Sequence, residues 1–87
     1  MKYIAEVIVK IKSQVKDTKG EIVARTIENC NFAQNSSVRT GAYYELALEA
    51  NNEVHARNII NDISKNLLTN PIIEEYTILS LKENSNA

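Results

Sequence analysis

The chain has 87 residues, 44% hydrophobic and 24% charged, with a formal net charge of −1. That length supports one domain over residues 1–87 with a small core, for which oligomerisation is an ordinary route to stability. The near-neutral balance excludes a non-specific nucleic-acid binder, which needs excess Lys and Arg to displace counterions, and also a polybasic membrane anchor.

The lone cysteine, Cys30, permits no disulfide within the chain and suits a reducing compartment. Met1–Glu6 lacks the apolar stretch of a signal peptide, and no run approaches the ~20 apolar residues of a membrane span. A cytoplasmic location is expected.

In chain order, Lys2–Lys12 alternates. Tyr3, Ala5, Val7, Val9 and Ile11 share one face of a half-buried strand, with Glu6, Lys10 and Lys12 opposite. Ile4 and Ile8 also lie on that second face, which marks it as a candidate self-association surface. Asp17 or Thr18 can cap a following helix. Ile22, Val23, Ile27 and Cys30 then form one stripe over about three turns, with Cys30 read as a small buried hydrophobe. Ser37–Thr40 is short and β-prone, with Gly41 as a bulge or bend. From Ala42 to Ala50 alternation resumes, with Tyr44, Leu46, Leu48 and Ala50 facing the core.

Asn51 and Asn52 are N-cap candidates for a second helix, with Glu53 in its first turn. Ala56, Ile59, Ile60, Ile63 and Leu67 form the clearest helical stripe in the chain. The ring of Pro71 excludes a helical conformation at Asn70, so that helix is expected to stop by Thr69. Ile72–Leu81 reads as the last strand, apolar on both faces, with Ile73 and Leu79 as further self-association candidates. Lys82–Ala87 reads as a polar, frayed tail. The order β-α-β-β-α-β predicts an α+β, two-layer domain with an antiparallel sheet and both helices on one face.

Convergent catalytic groups are not evident. His55, the one histidine, falls off the apolar stripe of its helix, and Cys and His have no metal-ligand spacing. Two glycines leave no phosphate-cradling loop. Glu74 and Glu75, adjacent in a strand, point to opposite faces. No catalytic, cofactor-binding or metal residue is expected in the chain. The same element order occurs in the RNA-recognition domain, whose basic-Gly-aromatic strand motif Arg39–Tyr44 faintly echoes. That domain stacks bases on aromatics sharing one face, whereas Tyr43 and Tyr44 face opposite ways. A stand-alone ligand-sensing or RNA-binding α+β module is the alternative reading.

Three runs carry a resemblance. They are Val15-Lys16-Asp17-Thr18-Lys19-Gly20, then Val38-Arg39-Thr40-Gly41 with Glu45-Leu46 after it, then Leu67-Leu68-Thr69-Asn70-Pro71-Ile72-Ile73-Glu74-Glu75-Tyr76. In order and spacing, from Tyr3 to Ile78, the chain resembles the PurS family, the small subunit of multi-subunit phosphoribosylformylglycinamidine synthase. It departs from that family at Ser13 and Thr18, where prolines are usual, and at Ala42, where Lys is frequent.

The resemblance implies a non-catalytic subunit of a purine-biosynthesis ligase that acts as a complex. A glutaminase subunit would release ammonia. A large synthetase subunit would use ATP and Mg²⁺ to activate the amide oxygen that ammonia displaces. The small subunit, a homodimer or higher homo-oligomer, would join the two and support ammonia transfer, with glutamine, ATP and Mg²⁺ handled by its partners. Arg39, Thr40, Gly41 and Tyr43 are the candidate partner contacts, since Arg and Tyr are favoured interface anchors.

Overall fold

Alternation at the start of the chain becomes strand β1, Lys2–Ile11, whose Tyr3, Ala5, Val7 and Val9 are all buried while Ile4, Glu6 and Ile8 are half-buried. β1 is the central strand of three. β2, Gly41–Glu49, and β3, Glu74–Glu83, flank it, both antiparallel. Val7 stands opposite Tyr44 on one side and Ile78 on the other, which aligns the apolar positions of all three strands on one face. The structure, a computed structural model, describes residues 1–84.

Helix α2, Glu53–Ile63, seals that apolar face. Asn52 caps it, accepting from the His55 backbone N–H at 2.8 Å, which satisfies one of the helix's orphan donors. Ala56 and Ile60 are fully buried; Ile60 joins Ala5, Val7 and Val9 in the main core, and Ala56 meets Tyr3 and Ala50. Burying one such isoleucine side chain is worth about 1.5–3 kcal/mol. A π-helical turn, Ser64–Leu68, ends the helix. The wider turn rotates the stripe out of phase. Leu67, expected in the core, is 77% exposed, and Leu68 packs against the core instead.

Thr69 is extended, so the helix does stop before Pro71. Asn70 shapes the junction: its Oδ1 accepts from the Ile72 N–H, and its carbonyl accepts from the Ile73 and Glu74 N–H groups. β3 then starts at Glu74. Its pairing with β1 slips by one residue: Glu6 faces Ser80 whereas Val7 faces Ile78, leaving Leu79 as the extra residue of a β-bulge. The bulge moves Leu81 onto the core face, opposite Ala5, so β3 is less apolar on its second face than simple alternation implies. Lys82 and Glu83, expected in a frayed tail, belong to this strand because they pair with Ile4 and Tyr3. Asn84 is tied to β1 as well, its N–H donating to the Lys2 carbonyl at 2.8 Å, and residues 85–87 lie outside the described residues.

Helix α1, Thr18–Asn29, begins at the Asp17 cap and buries only Gly20. Of the two helices expected on one face, α2 is seated there; α1 is held mainly by the segment before β2. A Cβ at Gly20 would overlap the Val38 carbonyl oxygen, so only glycine allows the helix to lie this close. Ser37–Thr40 is therefore not a fourth strand. Its Thr40 groups are taken by Asp17 rather than by a neighbouring strand, and β2 starts one residue later. Gly41 is the first residue of β2, paired with Lys10, and neither a bulge nor a bend. Cys30, expected to be buried, is exposed because no layer covers that end of α1. The molecule measures 51 × 30 × 13 Å, thin enough that the second sheet face is left without a helical layer.

Candidate docking site

The carboxyl end of β1 collects the chain's distinctive runs. Asp17 caps α1 through Oδ1, which accepts from the Gly20 N–H at 2.8 Å. Its Oδ2 accepts from the Thr40 N–H at 2.5 Å and from the Thr40 hydroxyl at 2.8 Å. The side chain is nearly sealed, at 2% exposure. The Gly20 and Thr40 N–H donors, the Thr40 hydroxyl and nearby Arg39 hold the Asp17 carboxyl below the usual range, although burial opposes them.

Arg39 reaches the same strand end from above. One guanidinium nitrogen donates to the carbonyls of Ile11 at 3.3 Å and Lys12 at 2.8 Å. Lys12 in turn ties down the third run. Its backbone N–H donates to the Ile73 carbonyl at 2.9 Å, and its Nζ donates to the Pro71 carbonyl at 2.8 Å. On the far side of that run, the Tyr76 hydroxyl donates to Asn61 Oδ1 of α2 at 3.0 Å. Three segments distant in sequence thus meet at Ile11 and Lys12.

Above the hub lies a groove of about 260 Å³ lined by Ile8, Lys10, Arg39, Thr40, Gly41, Ala42 and Tyr43. All four candidate partner contacts, Arg39, Thr40, Gly41 and Tyr43, come together there. Gly41 serves close approach: a Cβ at this position would stand 2.5 Å from the Val9 carbonyl oxygen. Arg39 is partly committed to its own backbone, and Tyr43, 53% exposed, forms the open rim. A second groove, about 230 Å³, lies between Lys12, Lys65, Thr69, Pro71, Glu74, Glu75 and Tyr76.

Tyr43 also belongs to the helix-free face of the sheet. Its hydroxyl donates to Glu6 Oε2 at 2.5 Å, and the Ser80 hydroxyl donates to Glu6 Oε1 at 2.7 Å. One carboxylate therefore links all three strands. The Tyr43 hydrogen bond, then that of Ser80, lowers the Glu6 pKa, while the same carboxylate pushes the Tyr43 phenol up to about 12. Ile4 and Ile8 flank Glu6 along β1, half-buried, with Ile73 40% exposed and Leu79 52% exposed nearby in the chain's third strand region. Leu79 sits in the bulge beside Glu6 and Val7, and Ile73 precedes β3, its carbonyl accepting from the Lys12 N–H.

Two residues carry more than sequence reasoning assigned to them. Asp17 was legible as a cap but not as the partner of Thr40. Glu6 read as a solvent-facing strand residue; its position between Ile4 and Ile8 was the available signal that its face is special. His55 is engaged locally, its Nδ1 accepting from the Asn51 N–H at 3.0 Å. Among the described residues no group of three or more His, Cys, Asp or Glu side chains is placed to hold a metal ion.

Comparison with known proteins places this geometry. Residues 4–82 match the family described as PurS, phosphoribosylformylglycinamidine (FGAM) synthase. The chain is 30% identical over 76 residues to the phosphoribosylformylglycinamidine synthase subunit PurS of Methanocaldococcus jannaschii, covering 87% of this chain and 92% of that one. It is 32% identical over 73 residues to the Thermotoga maritima subunit, covering 84% and 89%. Its fold is similar to that of Thermus thermophilus PurS, with a TM-score of 0.83 at 26% identity over 97% of this chain and 99% of that one. A chain in the solved structure of PurLQS from Thermotoga maritima gives a TM-score of 0.81 at 27% identity, covering 97% and 99%.

Proposed function

The chain belongs to the PurS family, the small subunit of phosphoribosylformylglycinamidine synthase in purine biosynthesis, and from that premise we propose that it joins the enzyme's catalytic subunits without carrying a reaction itself. The carrying observation is the match, over 97% of this chain, to a chain in the PurLQS structure from Thermotoga maritima. The partners are the other subunits of that enzyme. In this reading they are a glutaminase that releases ammonia and a synthetase that uses ATP and Mg²⁺ to activate the amide oxygen of its substrate. The small subunit takes no cofactor of its own.

The physical demand on such a subunit is rigidity and complementarity. Ammonia that escapes to water is protonated and ceases to be a nucleophile, so the two active sites must be held in register. The hub at Ile11 and Lys12 provides a fixed platform, and the groove above it offers Tyr43, Arg39 and Lys10 to a partner. Self-association uses the helix-free face around Ile4 and Ile8, with Ile73 and Leu79 at its margin. Glu6 at its centre already has a donor on each oxygen and needs none from a partner. The cytoplasmic location expected from the sequence is part of this proposal; separately, no helix among the described residues is long and apolar enough to cross a membrane.

Reconstitution tests the reading. Glutaminase and synthetase subunits mixed without this chain are expected to show little glutamine-dependent synthesis, while synthesis driven by added ammonium salt persists. Adding the chain is expected to restore the glutamine-dependent rate. Full glutamine-dependent activity in its absence would overturn the proposal.

A further inference from the structure

A helix N-cap needs one acceptor oxygen, and Ser, Thr or Asn would supply it as well as Asp. Asp17 uses Oδ1 for that purpose and spends Oδ2 wholly on Thr40, taking both its N–H and its hydroxyl. Only a carboxylate fits this pair of duties. An asparagine could keep the cap with its oxygen, but its NH₂ would then face the Thr40 N–H, donor against donor. The residue type therefore exceeds what capping requires.

What the second oxygen holds is the groove. Thr40 stands between Arg39, pinned to the Ile11 and Lys12 carbonyls, and Gly41, pressed against the Val9 carbonyl. These three consecutive residues form one wall, fixed from beneath by β1 and by Asp17, and Ala42 and Tyr43 continue it. Asp17 itself is 2% exposed and can touch no partner. Its effect on anything in the groove passes through Thr40.

We infer that Asp17 is the positioning residue of the docking groove, acting through Thr40 to fix the wall that runs from Arg39 to Tyr43. The inference deepens the docking reading given above and rests on it. The first and second distinctive runs of the chain are then one device: the first supplies the carboxylate, the second the wall that it locks. Gly20 serves the same device by letting α1 start close enough to Val38 for Asp17 to reach.

The test is glutamine-dependent synthesis by the reconstituted three-subunit enzyme, measured against the concentration of the small subunit. Circular dichroism at the assay temperature confirms that each variant is folded. Asp17→Asn keeps a cap oxygen and breaks the link to Thr40; it is expected to raise the half-saturating concentration about tenfold or more with the plateau rate retained. Thr40→Val removes the hydroxyl, keeps the backbone bond, and is expected to show a smaller shift. Thr40→Ser, which restores the hydroxyl, is expected to recover most of that loss. Ile60→Val loosens the core on the sheet face opposite the groove and is expected to leave half-saturation unmoved. If Asp17→Asn fails to fold, Asp17→Ser decides in its place, because it keeps one capping oxygen and leaves nothing for the Thr40 N–H, at a residue no partner touches. Half-saturation equal to wild type for Asp17→Asn overturns the inference. So does an equal shift for Ile60→Val, because stability alone then explains the effect. Failure of the wild-type chain to activate at all overturns the docking reading instead, and this inference with it.

Discussion

The Tyr43 hydroxyl donates to Glu6 Oε2 at 2.5 Å, joining β2 to β1 on the sheet face that neither helix covers. With the Ser80 hydroxyl on the other oxygen, the Glu6 carboxylate becomes a cross-strand staple in the middle of an otherwise partly apolar surface. A carboxylate with both oxygens satisfied inside its own subunit can be covered by another protein at much lower cost than a bare one.

That staple has a defined pH window. The Tyr43 pKa is raised from 10.0 to about 12, so its contribution is complete below about 10 and is lost as pH rises through about 12. The Glu6 pKa lies below its ordinary 4.5, so its contribution is complete above that value and is lost as pH falls through the lowered one. Ultraviolet absorbance titration of the folded chain is expected to show a phenol ionising near 12. Tyr43→Phe is expected to remove that component. A wild-type titration complete well before about 12 would contradict the assignment.

Core packing is tested at Ile60. Ile60→Ala is expected to cost about 2–5 kcal/mol in chemical denaturation, because a fully buried side chain leaves a cavity. Leu67→Ala, on the same stripe by sequence spacing but 77% exposed, is expected to change stability by less than about 0.5 kcal/mol. Equal costs at the two positions would contradict the phase shift produced by the π-helical turn.

Gly20 lies within α1, where alanine would ordinarily gain about 1 kcal/mol in helix propensity. The overlap of a Cβ with the Val38 carbonyl oxygen is expected to reverse that gain. Gly20→Ala is therefore expected to be destabilising by about 1–3 kcal/mol, read from the denaturation midpoint. A stabilised variant would show that α1 and the segment before β2 are not in close contact.

Ile4 flanks Glu6 on the helix-free face, half-buried within the single chain and not among the residues that line the docking groove. Ile4→Lys is expected to leave the far-ultraviolet circular dichroism spectrum unchanged and to reduce the oligomer mass in sedimentation equilibrium. An unchanged mass would place self-association on another surface, the exposed stripe of Ile22 and Val23 on α1 being the next to examine.

How much of this was legible in the sequence follows from the range of the forces involved. β1, β2 and α2 declare themselves because period and burial coincide: Tyr3, Ala5, Val7 and Val9 alternate, and Ala56 and Ile60 recur at helical spacing. Asn52 as a cap and Pro71 as a stop act within a few residues, so local chemistry suffices. The bulge at Leu79 and the π turn after Ile63 are different. Each shifts the phase of a periodic pattern by one residue for reasons that lie in tertiary packing, and this misplaces Leu67 and Leu81. Ser37–Thr40 has strand propensity, yet Asp17, more than twenty residues earlier, takes the hydrogen-bonding groups a neighbour strand would need. Arg39, Thr40, Gly41 and Tyr43 were legible as a group by residue type; that Arg39 would spend its guanidinium on Ile11 and Lys12 was not.

The central claim is that this chain holds the glutaminase and synthetase subunits together. Sedimentation velocity on the three proteins, with glutamine, ATP and Mg²⁺ present, tests it most directly. With all three present, a single faster-sedimenting species containing each subunit is expected; with this chain omitted, the glutaminase and synthetase are expected to sediment separately. Glutaminase and synthetase that co-sediment equally well without this chain would contradict the account.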